Sequence, residues 1–286
     1  VKVAAGGKVV FLTGKGGTGK TTVALALAGS LARLGRQTAL VALEEVDHLA
    51  DHCPAVRVER VDPNVALLEW LSELGGRLAA KLLHARSSFR LFAAAAPGAR
   101  ELLALSRIAE LRKEHELVIV DGPASGHARA LWRAPATVAG IARMGPIAAR
   151  ARELGQLLAS ERHSAFLVVA RPVELAISET VELADQLRGD LGRRFEAVIV
   201  NGVVKRRFTA AELELPTTGD RVVAEAVAAA RRTTARYRRE RRQIARLRRA
   251  GLEVVELPLL AGHSGLGELA AELGRPLADL TRSLAG

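Results

Sequence analysis

Cysteine is nearly missing from this sequence: Cys53 is the only one in 286 residues. A disulfide within the chain is therefore excluded, and a cysteine-based metal site would have to form between subunits. Methionine is as scarce, with Met144 alone, which argues against a methionine-lined docking groove. Long apolar runs are absent too. No stretch of 18 or more residues is uniformly apolar, so no helical membrane span is expected. The amino-terminal residues lack the charged-then-apolar pattern of a signal peptide, because the run at 9–13 is short and leads directly into glycines. The compartment these absences suggest is a reducing cytoplasm. Lysine is rare as well, with seven in the chain.

What is present is enough for a sizeable core. Hydrophobic residues make up 49% of the chain, which suits one large α/β domain or a domain with a modest insertion. The net charge is +11, and most of it sits in one place. Residues 231–250 hold ten arginines against a single acid, Glu240. The favoured reading of this run is a solvated helix face. A nucleic-acid or membrane-surface partner is the alternative.

Short runs rich in Val, Ile and Leu recur at 9–13, 38–43, 117–121, 165–170, 197–201 and 253–257, with a weaker edge-strand candidate at 56–61. Such near-continuous apolar segments are the pattern of parallel strands covered on both faces. Helical patterns occupy 20–34, 65–84, 99–115, 174–191, 221–250 and 266–284. Strands alternating with helices imply an α/β fold with a doubly wound, mainly parallel sheet of about seven strands and helices on both faces. Ligands then bind at the carboxyl ends of the strands. Two stretches exceed a minimal α/β unit: 64–115, and 126–160 with expected breaks at Pro135, Gly145 and Pro146. Neither has a linker's composition, so the expectation is one domain, 1–286, carrying a helical layer. In 221–250 an apolar stripe runs through Val223, Val227, Ala230, Thr234, Tyr237, Ile244 and Leu247, at the spacing of one helix face.

The segment Gly14-Lys15-Gly16-Gly17-Thr18-Gly19-Lys20-Thr21-Thr22 fits the glycine-rich phosphate-loop pattern. A strand leads in and an alanine- and leucine-rich helix leads out, as that pattern requires. Gly14, Gly16, Gly17 and Gly19 let the backbone curl and turn its N–H groups inward, with Thr18 among them. The helix start adds a positive end that favours phosphate. Lys20 is expected to reach the β- and γ-phosphates of ATP, Thr21 to ligate Mg2+ through its hydroxyl, and Thr22 to bond the α-phosphate.

Lys15, one position after the first glycine, makes the loop resemble the deviant phosphate loop shared by ArsA, the Get ATPase, MinD, ParA and the nitrogenase iron protein. The resemblance implies that Lys15 reaches across a dimer interface to the partner's nucleotide. Further matches favour the ArsA/Get branch, and within it the bacterial ArsA-like subgroup. The run Val118-Ile119-Val120-Asp121-Gly122-Pro123-Ala124-Ser125-Gly126-His127 resembles that branch's strand-then-switch segment, with a Pro and an Ala exchanged. By this resemblance Asp121 holds a Mg2+-bound water and Gly126 gives hinge freedom. His127 reads equally as a switch residue or as a helix-start hydrogen bond. Asn201 resembles the asparagine that reads the adenine edge, and its carboxamide can donate and accept at once. Pro258 lies in a run that resembles the loop over adenine.

Switch I departs from the branch. Glu44 falls where an aspartate usually positions the attacking water, and a glutamate is one methylene longer. The cysteines of arsenite-collecting ArsA, of zinc-bridged Get dimers and of the iron protein's cluster are not present. The resemblance implies a Mg2+-dependent ATP-hydrolysing dimeric switch, paired with itself or with a paralogue, that handles a client. The competing readings are a ParA/MinD-type positioning ATPase that binds DNA or membrane through residues 231–249, and a nucleotide-dependent ligase or kinase.

Overall fold

The structure, a computed structural model, describes residues 7–43, 49–61, 97–214, 220–260 and 265–285. Seven strands pair in one all-parallel sheet with the order β3-β2-β4-β1-β5-β6-β7. In chain order these elements are β1 (Lys8–Gly14), α1 (Lys20–Arg33), β2 (Thr38–Ala42), a short 3-10 turn (Leu49–His52), β3 (Arg57–Arg60), α2 (Ala99–Glu114), β4 (Leu117–Ala124), α3 (Ser125–Ala142), α4 (Pro146–Ala159), β5 (Ser164–Ala170), α5 (Glu174–Leu191), β6 (Ala197–Val203), α6 (Ala210–Leu213), α7 (Arg221–Arg249), β7 (Val254–Pro258), α8 (Leu266–Leu273) and α9 (Ala278–Ala285). The doubly wound α/β expectation is met, and the weak run at 56–61 is indeed an edge strand.

Side chains alternate across the sheet, so each strand feeds two cores. Val9, Phe11, Val118, Val120, Phe166 and Val168 face a layer that includes α2, α3, α4, α5 and α7. Val10, Leu12, Ile119, Leu167 and Ile199 face α1, α8 and α9. Phe11 and Phe166 stack with ring centroids 5.3 Å apart, and Trp132 of α3 meets Phe166 edge-on at 6.3 Å. Burying each such side chain contributes about 1.5–3 kcal/mol. Because both faces are covered, the five central strands lack the polar alternation of a half-exposed sheet.

Three expectations need correction. Pro135 does not break a helix: it is buried inside the 18-residue α3. The break falls later, at Arg143 and Gly145, with φ of 49° and 92°. Residues 266–284 form two helices, α8 and α9, separated around Gly274 and Pro276. Proline lacks the N–H that would continue the ladder. Val223, expected on the buried stripe of α7, is 39% exposed. The buried positions of that helix are Val227, Ala230, Glu240, Ile244 and Leu247. The helix expected at 65–84 lies outside the described residues. Among the described residues no helix is long and apolar enough to cross a membrane.

Candidate nucleotide site

β1 delivers the chain to the glycine loop at the carboxyl edge of the sheet, and α1 carries it away. Gly14 has φ 146°, and a Cβ there would lie 2.0 Å from the Val169 carbonyl oxygen on β5. No other residue fits so close to a neighbouring strand. Gly17 and Gly19 are also at positive φ, 75° and 91°. A Cβ on Gly16 or Gly17 would meet nothing within 4 Å, so that side of the loop is open to a ligand. Thr18 is buried, and its Oγ1 donates to the Lys15 carbonyl at 2.8 Å. Gly19 caps α1 without a side-chain hydrogen bond, which leaves first-turn N–H groups available to an anion. Lys20 is buried at the start of that helix, and Thr22 follows it in the same turn.

β4 lies beside β1 in a register that pairs Leu12 with Asp121. That register brings Asp121 to the loop across 100 residues of sequence: Thr21 Oγ1 donates to Asp121 Oδ2 at 2.6 Å. Asp121 is buried. A hydroxyl and a carboxylate brought together on a buried floor are the hard oxygen donors that suit Mg2+, so the residues present fit the metal. Two further contacts hold β4 here. Thr13 Oγ1 donates to the Pro123 carbonyl at 3.1 Å. A Cβ on Gly122 would sit 2.3 Å from the Leu12 carbonyl oxygen, so glycine is required there by proximity.

The other expected residues converge to different degrees. Asn201, at the end of β6, donates from Nδ2 to the Thr18 carbonyl at 2.9 Å; its described role is to brace the phosphate loop. Pro258 ends β7 in register with Val203. Gly126 and His127 are exposed in the first turn of α3. Ser125, the first residue of α3, lines the same recess as Gly14, Lys15 and Glu179. Leu43 N donates to the Asp121 carbonyl at 3.3 Å, and Glu44, next in sequence, lies outside the described residues.

Lys15 has a partner that the sequence did not reveal. Its Nζ lies 2.7 Å from Glu179 Oε1 on α5, and both side chains are partly exposed, at 42% and 33%. The signal was weak: Glu179 is one of several acids on a helix with no motif around it.

A glycine loop between a strand and a helix, with a lysine, a threonine and a strand-end aspartate, at the carboxyl edge of a doubly wound sheet defines a phosphate-loop nucleotide-binding protein. Comparison with known proteins narrows the class. The family model of the anion-transporting ATPases matches residues 7–148. ATPase BagA of Mycobacterium tuberculosis is 30% identical over 228 residues, covering 68% of this chain and 65% of that protein. A Halobacterium salinarum protein named as an arsenical pump-driving ATPase is 25% identical over 227 residues, covering 68% of this chain and 35% of its own length. The chain is similar to the ArsA-like, anion-transporting ATPases, with the family match running over residues 7–148. It spans 65% or less of the length of these curated relatives.

Proposed function

We propose that this protein is an ATP-hydrolysing switch that acts as a dimer, with itself or with a paralogue, and couples turnover to the handling of a client. The observation that carries the nucleotide reading is the open glycine cradle with Thr21 and Asp121 together at its floor. The names of its relatives support hydrolysis of ATP.

In this reading the loop N–H groups and the amino end of α1 receive the phosphates, and the Lys20 ammonium neutralises charge on the β- and γ-oxygens. Thr21 and Asp121 would hold Mg2+, the first through its hydroxyl and the second through a water. Once bound, the metal supplies charge neutralisation to the phosphates. Glu44 accepts a hydrogen bond from the water whose oxygen attacks the γ-phosphorus, and the bond to the leaving ADP oxygen breaks. Lys15 leaves Glu179 for the partner's nucleotide. A partly exposed ion pair is worth about 0–1 kcal/mol, so a phosphate readily displaces it.

Glu44→Gln is expected to bind ATP within about threefold of wild type while turning over about tenfold or more slowly. Steady-state phosphate release and a fluorescent-nucleotide titration measure the two. Wild-type turnover in Glu44→Gln removes the assignment of that residue. Failure of the unaltered protein to bind Mg-ATP removes the whole reading.

A further inference from the structure

The arginines of α7 divide into two sets with different chemistry. Arg236 bonds Glu240 at 2.7 Å, and Arg241 and Arg248 share Glu256. The other seven of the ten have no acidic partner among the described residues. Arg231 donates to the Leu213 carbonyl, Arg246 to Gln243 and Ser178, and Arg249 to the Ala245 carbonyl. Those partners are neutral and leave the charge uncompensated. Arg232, Arg238, Arg239 and Arg242 make no hydrogen bond or ion pair with any described residue. At 100° per residue all seven fall within an arc of about 120°, and they extend for about 27 Å along the helix. Arg231, Arg238, Arg239 and Arg242 also line an open cleft of about 350 Å³ beside α6.

From this arrangement we infer that the arginine face of α7 binds the phosphate backbone of double-stranded nucleic acid without regard to sequence. Three observations select that occupant. Guanidinium forks match phosphate oxygens, and seven uncompensated ones complement a duplex that carries one negative charge per about 1.7 Å of its axis. The face carries no aromatic side chain, so it lacks the stacking platform typical of single-strand binding. Val227, Ala230, Ile244 and Leu247 are committed to the core, and the exposed Val222 and Val223 lie at the amino end of the helix outside the arginine arc, which leaves no large apolar side chain within that arc to insert into a bilayer. Contacts of this kind position a protein on the backbone and read no bases.

The inference does not depend on ATP hydrolysis, and its test needs no nucleotide. Fluorescence anisotropy with a mixed-sequence duplex of about 20 base pairs, at about 50 and about 200 mM salt, reads affinity and salt slope together. If four arginines engage phosphates, the log–log slope is about −3.6 and affinity falls about a hundredfold across that range. The triple variant R238Q/R239Q/R242Q is expected to bind about tenfold or more weakly, with the slope flattened by about 2.7. The charge-matched variant R143Q/R152Q/R162Q, altered at exposed positions elsewhere, is expected to keep wild-type binding. Circular dichroism confirms that both variants fold. Any of four results overturns the inference: no duplex binding at the lower salt; equal losses in the two variants; tighter binding to vesicles containing phosphatidylserine than to duplex; or equally strong competition by polyglutamate at matched charge.

Discussion

A Cβ at Gly19 would lie 2.5 Å from Asn201 Nδ2, on a residue whose φ is already 91°. Gly19→Ala therefore either strains the backbone or pushes the brace off the loop. Strain of about 1–3 kcal/mol predicts ATP binding weaker by roughly 5- to 150-fold. A fluorescent-nucleotide titration checks this, and unchanged affinity would contradict the observed close approach. Asn201→Ala separates two roles. Losing the bond to the Thr18 carbonyl is worth about 1 kcal/mol, or roughly fivefold in affinity, for any nucleoside triphosphate. If Asn201 also reads the adenine edge, the loss is larger for ATP than for GTP. Equal losses confine Asn201 to bracing the loop.

At the scale of elements, the carboxyl end of α5 is fastened to α3 through one carboxylate. Asp190 accepts from Arg129 Nε at 2.7 Å and Nη2 at 3.0 Å, and from Trp132 Nε1 at 3.1 Å. The Arg129 bonds, with smaller help from Trp132 and nearby positive charge, hold its carboxyl below the ordinary aspartate value of 3.8. A depressed folded-state value contributes stability that is complete above the unfolded value and disappears as pH falls through the folded one. Asp190→Asn is expected to lower the melting temperature by about 2–4 °C at pH 7. The gap to wild type should shrink as pH drops below the ordinary value and close in stronger acid. A gap independent of pH would mean that packing, not charge, accounts for the contact. Elements also show where local patterns mislead. Pro135 lies within α3, and the helix there ends only at Arg143 and Gly145.

At the scale of the molecule, the sheet assembles its site from both sides of β1. β4 brings Asp121, β5 and α5 bring the wall that carries Glu179, and β6 brings Asn201. If Lys15 serves a partner's nucleotide, Lys15→Ala should bind ATP within about threefold of wild type yet fail to dimerise with ATP. Light scattering on a sizing column reads the mass with and without nucleotide. A dimer that persists in Lys15→Ala would assign that lysine to its own subunit.

The phosphate loop, the strand segments and the carboxyl-edge location of the site were legible because each rests on neighbours in sequence. Glycines at fixed spacing, near-continuous apolar strands and strand–helix alternation are local patterns with one dominant physical outcome. Pairings between distant residues were not legible. Lys15 with Glu179, Thr18 with Asn201, and Val204 with the buried carboxylate of Glu240 join positions 164, 183 and 36 apart. Periodicity says which face a residue occupies but not which strand end lies beside it. The order of strands and the register of β1 against β4 decide that. The same distinction applies to the arginines of α7. The sequence by itself established their number and their helix, while the tertiary structure decided which three meet acids and which seven meet none among the described residues, because Glu240 and Glu256 reach only the side of the helix that packs on the sheet.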